Sequence, residues 1–148
     1  QRQLKVLEET FAPFIAPPLR HYYGNPSDES SGRLLRVLVT TETAPEGQKV
    51  FINGNRPELA NWIPNITEMT LLGQNQSGQY VWEFALTMRA MDFKFTHGKR
   101  GQPWENTHEW DGPPNRSVSL HTPLHVDSSG TLLYLARFGA PSWGRNGP

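Results

Sequence analysis

The stretch YVWEFALTMRAMDFKFT, residues 80–96, decides the fold class. From Tyr80 to Leu86 a large apolar side chain falls on every second position: Tyr80, Trp82, Phe84 and Leu86. Successive side chains of a strand point to opposite faces, so this period of two puts all four on one face. The pattern resumes at Met91, with Phe93 and Phe95 on one face and Asp92, Lys94 and Thr96 on the other. A helix needs a period near 3.6, and neither run has it.

The same grammar extends in both directions. A first strand is expected over Arg33–Glu42; it is apolar on both faces at its start, which suits a strand covered on its far side by another segment. Lys49–Asn53 and Thr67–Leu72 are short strands, and Pro57–Trp62 is long enough for one helical turn. Downstream, Arg116–Leu120 and Gly130–Phe138 complete about seven strands separated by Gly, Pro and Asn turns. No long amphipathic helix interrupts them. The predicted architecture is an all-β, antiparallel, immunoglobulin-like β-sandwich, with Val37, Val50, Trp82, Phe84, Phe93 and Phe95 in its core.

With 148 residues the chain is long enough to bury such a core as a single domain. Residues 1–32 read as an N-terminal arm and linker. Leu4, Leu7 and Phe11 share a helical face, but Pro13, Pro17 and Pro18 end any helix early. Phe14, Ile15, Leu19, Tyr22 and Tyr23 are too apolar for a free tail. The arm therefore packs along the sandwich or against a partner domain. Residues 33–138 form the sandwich, and residues 139–148 a Gly/Pro-rich tail.

Between Phe93 and Ser117 the chain leaves its strand pattern at Gly98 and Gly101, then carries Trp104 and Trp110 among His, Glu, Asn, Asp and Arg. This reads as a loop that presents flat apolar surface beside directional polar groups, the anatomy of a small-molecule site. An indole face stacks on a sugar ring while neighbouring polar groups bond its hydroxyls.

Four motifs then point to a family. Val50-Phe51-Ile52-Asn53-Gly54-Asn55 with Pro57-Glu58-Leu59-Ala60-Asn61-Trp62, Tyr80-Val81-Trp82-Glu83, Phe93-Lys94-Phe95, and Trp104-Glu105 with Pro114-Asn115-Arg116 resemble, in order and spacing, the starch-binding domains of carbohydrate-binding module family 20. The resemblance covers about residues 35–120. It implies a non-catalytic module that binds an α-glucan such as starch or glycogen, attached to a catalytic or accessory partner domain in a secreted protein. It further implies that Trp62 and Trp104 stack on glucose units while Lys94 and a loop group such as Asn106 bond hydroxyls. Trp110 lies in an insertion before the Pro-Asn-Arg element and is a further candidate sugar contact; an inserted loop of this kind covers the starch site or reshapes it. The lengthened form also looks like domains of this superfamily fused to esterase-like or uncharacterised secreted proteins. Ala60 stands where the family has glycine, a minor departure, and Asn115-Arg116 reads as structural.

Other chemistries lack their groups. Lys+Arg and Asp+Glu are equal at 14 each, so no global positive field draws nucleic acid or an anionic membrane. No apolar run approaches a membrane span. The chain has no cysteine, which removes disulfides and thiolate ligands. His97, His108, His121 and His125 do not form a zinc motif, no G-x-S-x-G is present, and no cofactor is implied. Glu105, Glu109 and Asp111 are near in sequence, as a glycosidase acid and base would be, but they share one loop and no deep pocket is expected. Sequons at Asn65, Asn75 and Asn115 fit a secreted glycoprotein. The competing reading is a protein-interaction or structural accessory domain of a larger secreted protein, with the apolar arm as its docking surface and no glycan bound.

Overall fold

The computed structural model describes residues 2–42, 49–98, 105, 115–140, 142 and 143. Along the chain, α1 (Arg2–Thr10) leads to β1 (Arg20–Tyr22), β2 (Leu34–Thr41) and β3 (Val50–Gly54). A short 3-10 turn over Pro57–Trp62 follows, then β4 (Thr70–Gln74), β5 (Tyr80–Thr87) and β6 (Met91–His97). Three more strands, β7 (Arg116–Val118), β8 (Leu124–Val126) and β9 (Leu132–Arg137), complete the described elements. They form a six-stranded sheet, β1-β8-β9-β2-β5-β4, and a three-stranded sheet, β3-β6-β7. Every strand pair is antiparallel except β2–β9, which runs parallel with Leu35 opposite Leu132.

The two sheets face each other across one core. Val37, Val39, Trp82, Leu124, Leu132 and Tyr134 of the large sheet meet Val50, Ile52, Phe93, Phe95 and Val118 of the small one. The alternation in residues 80–96 is realised as expected: Trp82, Phe93 and Phe95 are buried and Phe84 packs partly against the same cluster. Trp82 donates its indole N–H to Thr41 Oγ1 at 2.9 Å, so burying the ring leaves no polar atom unsatisfied.

Three details differ from the sequence reading. Strand β4 begins at Thr70, because Thr67–Met69 instead lie alongside β3: Ile52 N donates to Thr67 O and Met69 N to Val50 O, each at 2.9 Å. Met69 is buried where the chain crosses from one sheet to the other. The other two are β1 and β8, which were not expected. Each has three residues, too few for a period to show.

The apolar character of both faces of β2 has a direct cause. Leu38 points away from the main core and, with Val81, Leu133 and Leu135, forms a second cluster against Leu7, Phe11, Ile15 and Leu19 of the arm. The arm is tied down by polar contacts as well. Arg36 donates to Phe14 O at 2.9 Å, Ala16 N donates to Asp127 Oδ2 at 3.2 Å, and Ser128 N donates to Ala16 O at 2.8 Å. Gly73, at φ +148°, lets the Phe14 ring come so close that a Cβ there would sit 3.0 Å from Phe14 Cζ. The molecule is thus layered: arm, large sheet, core, small sheet.

Two outcomes follow from this packing. Phe11 is fully buried in the arm cluster, so Phe11→Ala should cost roughly 3–5 kcal/mol of stability in urea titrations. His125 is fully buried, neither ring nitrogen has a hydrogen-bond partner, and its ring lies 5.2 Å from that of His21 across the β1–β8 pair. Burial, with a smaller effect of His21, lowers its pKa from 6.5 to about 4. Between these values the unfolded chain binds the proton and the folded one does not. His125 therefore withdraws stability as pH falls through 6.5, levelling off near 4, by on the order of 3 kcal/mol. Urea titrations at pH 7, 5.5 and 4.5 should show a shallower loss for His125→Leu than for the parent chain.

Candidate functional site

The outward face of the small sheet carries the candidate site. Strand alternation turns Phe51 and Asn53 of β3 and Lys94 and Thr96 of β6 away from the core, with Asn53 opposite Lys94 and Phe51 opposite Thr96. The segment after β3 folds over this face. Gly54 allows it: a Cβ there would lie 2.3 Å from Asp92 O and 2.7 Å from Leu59 Cδ1. Asn55 Oδ1 accepts from Asp92 N at 2.9 Å, and Leu59 plugs into the core fully buried, which fixes the start of the turn.

Past Leu59 the backbone becomes unusual. Ala60, Asn61 and Trp62 have φ of 60°, 47° and 68°, and Asn65 follows at 61°. Left-handed backbone costs most L-residues roughly 1–2 kcal/mol each, but asparagine tolerates it, so the strain falls on Ala60 and Trp62. Ala60 is therefore more than a minor departure: the glycine usual in the family would adopt this conformation freely. The turn is held by Asn61 N and Leu59 N donating to Arg56 O, and by Ile63 N donating to Ala60 O at 3.0 Å. It leaves Trp62 half-buried, flanked by exposed Ile63 and Ile66.

Below the turn lies a chain of side-chain hydrogen bonds. Asn53 Nδ2 donates to Thr96 Oγ1 at 3.0 Å, and Thr96 Oγ1 donates to Asn65 Oδ1 at 2.7 Å. Asn53 and Thr96 are fully buried although they face outward from the sheet, because the turn covers them.

On the neighbouring residue of β6 a second loop is anchored. Glu105 N donates to Phe95 O at 3.1 Å, and Phe95 N donates to Glu105 Oε2 at 2.8 Å. The Glu105 carboxylate is fully enclosed with Arg116, which reaches Oε1 through Nη2 at 2.7 Å and Oε2 through Nε at 2.9 Å. Oε1 also accepts from Gly139 N at 2.9 Å. Arg116 gives further bonds to Ala140 O at 2.6 Å and Arg137 O at 3.1 Å, and lies 4.9 Å over the Phe95 ring. Burial alone would lower the Arg116 pKa; the hydrogen bond and charge of Glu105, with Tyr134, outweigh it and raise it above the ordinary value. Both oxygens of Glu105 are occupied by donors, so this carboxylate is a structural anchor rather than an acid or base. Arg116 has the structural role that its motif implied.

Of the sequence-derived site residues, Trp62 and Lys94 stand on the small-sheet side of the molecule, both half-buried. Trp104, Asn106 and Trp110 lie outside the described residues, although Trp104 is joined directly to the Glu105 anchor. The sequence reading passed over Asn53, Thr96 and Asn65. Only the polarity of Asn53 within Val50–Gly54 hinted at them, and it does not reveal a partner. The sequons also divide. Asn75 is buried and its amide donates both hydrogens, to Thr10 O at 3.0 Å and Gln79 Oε1 at 2.9 Å, whereas Asn65 is exposed. The described residues contain no group of three or more metal-ligating side chains.

Residues 34–129 match the family model described as "Starch binding domain". The chain belongs to this family. The match reaches past the 35–120 of the four motifs to include β8, and it makes the chain a carbohydrate-binding module. Among relatives of this starch-binding domain are the cyclomaltodextrin glucanotransferases of Bacillus sp. strains 38-2 and 1011, each 31% identical over 91 residues. Those residues are 60% of this chain and 12% of each relative, so the chain spans only a small part of their length. The Hormoconis resinae glucoamylase superposes with a TM-score of 0.52 at 11% identity, covering 74% of this chain and 18% of that one. The Hypocrea jecorina glucoamylase gives 0.50 at 14%, covering 72% and 17%. At such identities the likeness establishes a shared fold.

The anchor makes a strong demand on stability. Glu105→Ala strands the Arg116 guanidinium in the core and should cost about 3–5 kcal/mol in chemical denaturation. A loss under 1 kcal/mol would show that water replaces the carboxylate.

Proposed function

We propose that the domain binds α-glucan chains, as in starch or glycogen, on the outward face of the small sheet. Trp62 and Trp104 serve as stacking platforms, Lys94 and Asn106 as hydroxyl partners, and Trp110 as an added contact from the lengthened loop. One observation carries the reading. The turn bearing Trp62 is bonded through Asn65 to Thr96, and Glu105, next to Trp104, is bonded to Phe95. The turn that bears Trp62 and the residue that follows Trp104 in sequence are thereby bonded to consecutive residues of one strand, beside Lys94.

The arm argues against the docking alternative. Phe11 is fully buried, and Phe14 and Tyr22 pack against the two clusters, so these residues cover the domain's own sheet. No described helix is long and apolar enough to cross a membrane. We place the module, without catalytic activity of its own, beside a carbohydrate-active partner domain in a secreted glycoprotein.

Each stacked ring is worth about 1–3 kcal/mol, by analogy with bases stacked on aromatic side chains. After the cost of immobilising the glycan, affinity should fall in the micromolar to millimolar range. Titration with β-cyclodextrin or maltoheptaose, followed by tryptophan fluorescence, should saturate for the parent chain. Trp62→Ala and Trp104→Ala should each weaken binding about tenfold or more while leaving the melting transition in place. Absence of a saturable response to either glucan would overturn the reading.

A further inference from the structure

We infer that Thr96 and Asn53 are positioning residues for Trp62, acting through Asn65 to hold the turn in the geometry that presents the indole. The inference rests on the glucan-binding reading for its consequence, but not for its structural content.

The backbone bonds described above hold the turn only as far as Ile63, and the ladder is resumed where Ile52 N meets Thr67 O. From Pro64 to Ile66 the one hydrogen bond among the described residues is that from Thr96 Oγ1 to Asn65 Oδ1. Three left-handed residues end at Trp62 and another stands at Asn65. Such backbone persists only where its surroundings over-determine it. The loop closes its two ends itself, Thr67 Oγ1 donating to Glu58 O at 3.0 Å, but among the described residues the constraint on Asn65 comes only from the sheet.

The sheet supplies it with a defined polarity. A hydroxyl accepts one bond and donates another, so Thr96 passes donation from Asn53 on to Asn65. Asn53 and Thr96 are fully buried, which keeps water from competing for either bond. Asn53 Oδ1 itself lacks a partner. A buried asparagine with half its capacity unmet is poorly explained as a stabilising core residue. It is better explained by the orientation it imposes on the Thr96 hydroxyl. Valine would fit the Thr96 position on a strand by shape, but it has no proton to give.

The test separates orientation from stability. In protein labelled with 5-fluorotryptophan, the 19F resonance of Trp62 is assigned through Trp62→Phe. Thr96→Val and Asn65→Gly each remove the bond, and the glycine keeps left-handed backbone accessible. Both should shift, split or broaden the Trp62 resonance while leaving that of core Trp82 in place. Each should also raise the β-cyclodextrin Kd about fivefold, the usual effect of one lost hydrogen bond. Thr96→Ser and Asn65→Asp retain the hydroxyl and the acceptor, and should behave as the parent. If Thr96→Val fails to fold, Asn65→Gly at the exposed end carries the test alone. A Trp62 resonance that superimposes on the parent's in the folded variants would overturn the inference, even where the glucan binds. A perturbed resonance in a chain that binds no glucan would support the positioning role and remove only the glucan reading.

Discussion

The buried pair of Glu105 and Arg116 is the constraint on which the rest of the architecture depends. An arginine and a carboxylate taken wholly out of water are costly, and their attraction repays this only if every remaining donor and lone pair is also met. Here they are met by groups from different elements. The carboxylate takes the Phe95 amide of β6 and the Gly139 amide beyond β9. The guanidinium, carried by β7, takes the carbonyls of Arg137 and Ala140. One ionic contact thus joins the small sheet to the end of the large one and holds Glu105 between them. Such a pair specifies geometry more than it contributes net stability.

This explains how much of the molecule was legible in its residues. The sandwich was legible because Tyr80–Thr96 alternates with large side chains, and so was the covering of β2, because Leu35, Val37 and Leu38 cannot all face one core. Four motifs identified the family. The burial of Glu105 was not legible, because a carboxylate among Trp, Asn and His resembles an exposed loop residue, and only its pairing with Arg116 reveals it. The short strands β1 and β8 are recognisable only through their pairing with each other. The Asn53–Thr96–Asn65 chain was invisible for a related reason: hydrogen-bond partners 43 and 31 residues apart leave no local period. Of the candidate site, the sequence marked the aromatic residues and Lys94, but not what supports Trp62 from beneath.

The layers divide labour between the two faces of the molecule. The arm seals the outer face of the large sheet with Leu7, Phe11, Ile15 and Leu19, while the outer face of the small sheet meets the turn that bears Trp62. Binding modules favour this asymmetry, since a rigid scaffold on one side permits strained backbone on the other.

The parallel pairing of β2 with β9 also sets an order of assembly. Ribosomes deliver the chain from its N-terminal side, and β2 can pair with β5 as soon as the intervening residues have emerged. Its other neighbour, β9, is made well after both of them. Leu133 and Leu135 of that late strand form half of the apolar seat under Leu7 and Phe11. Contacts so distant along the chain form slowly. The arm is therefore synthesised well before its seat is complete, and in the nascent protein its apolar side chains wait in water, or on a chaperone, until β9 slides in beside β2.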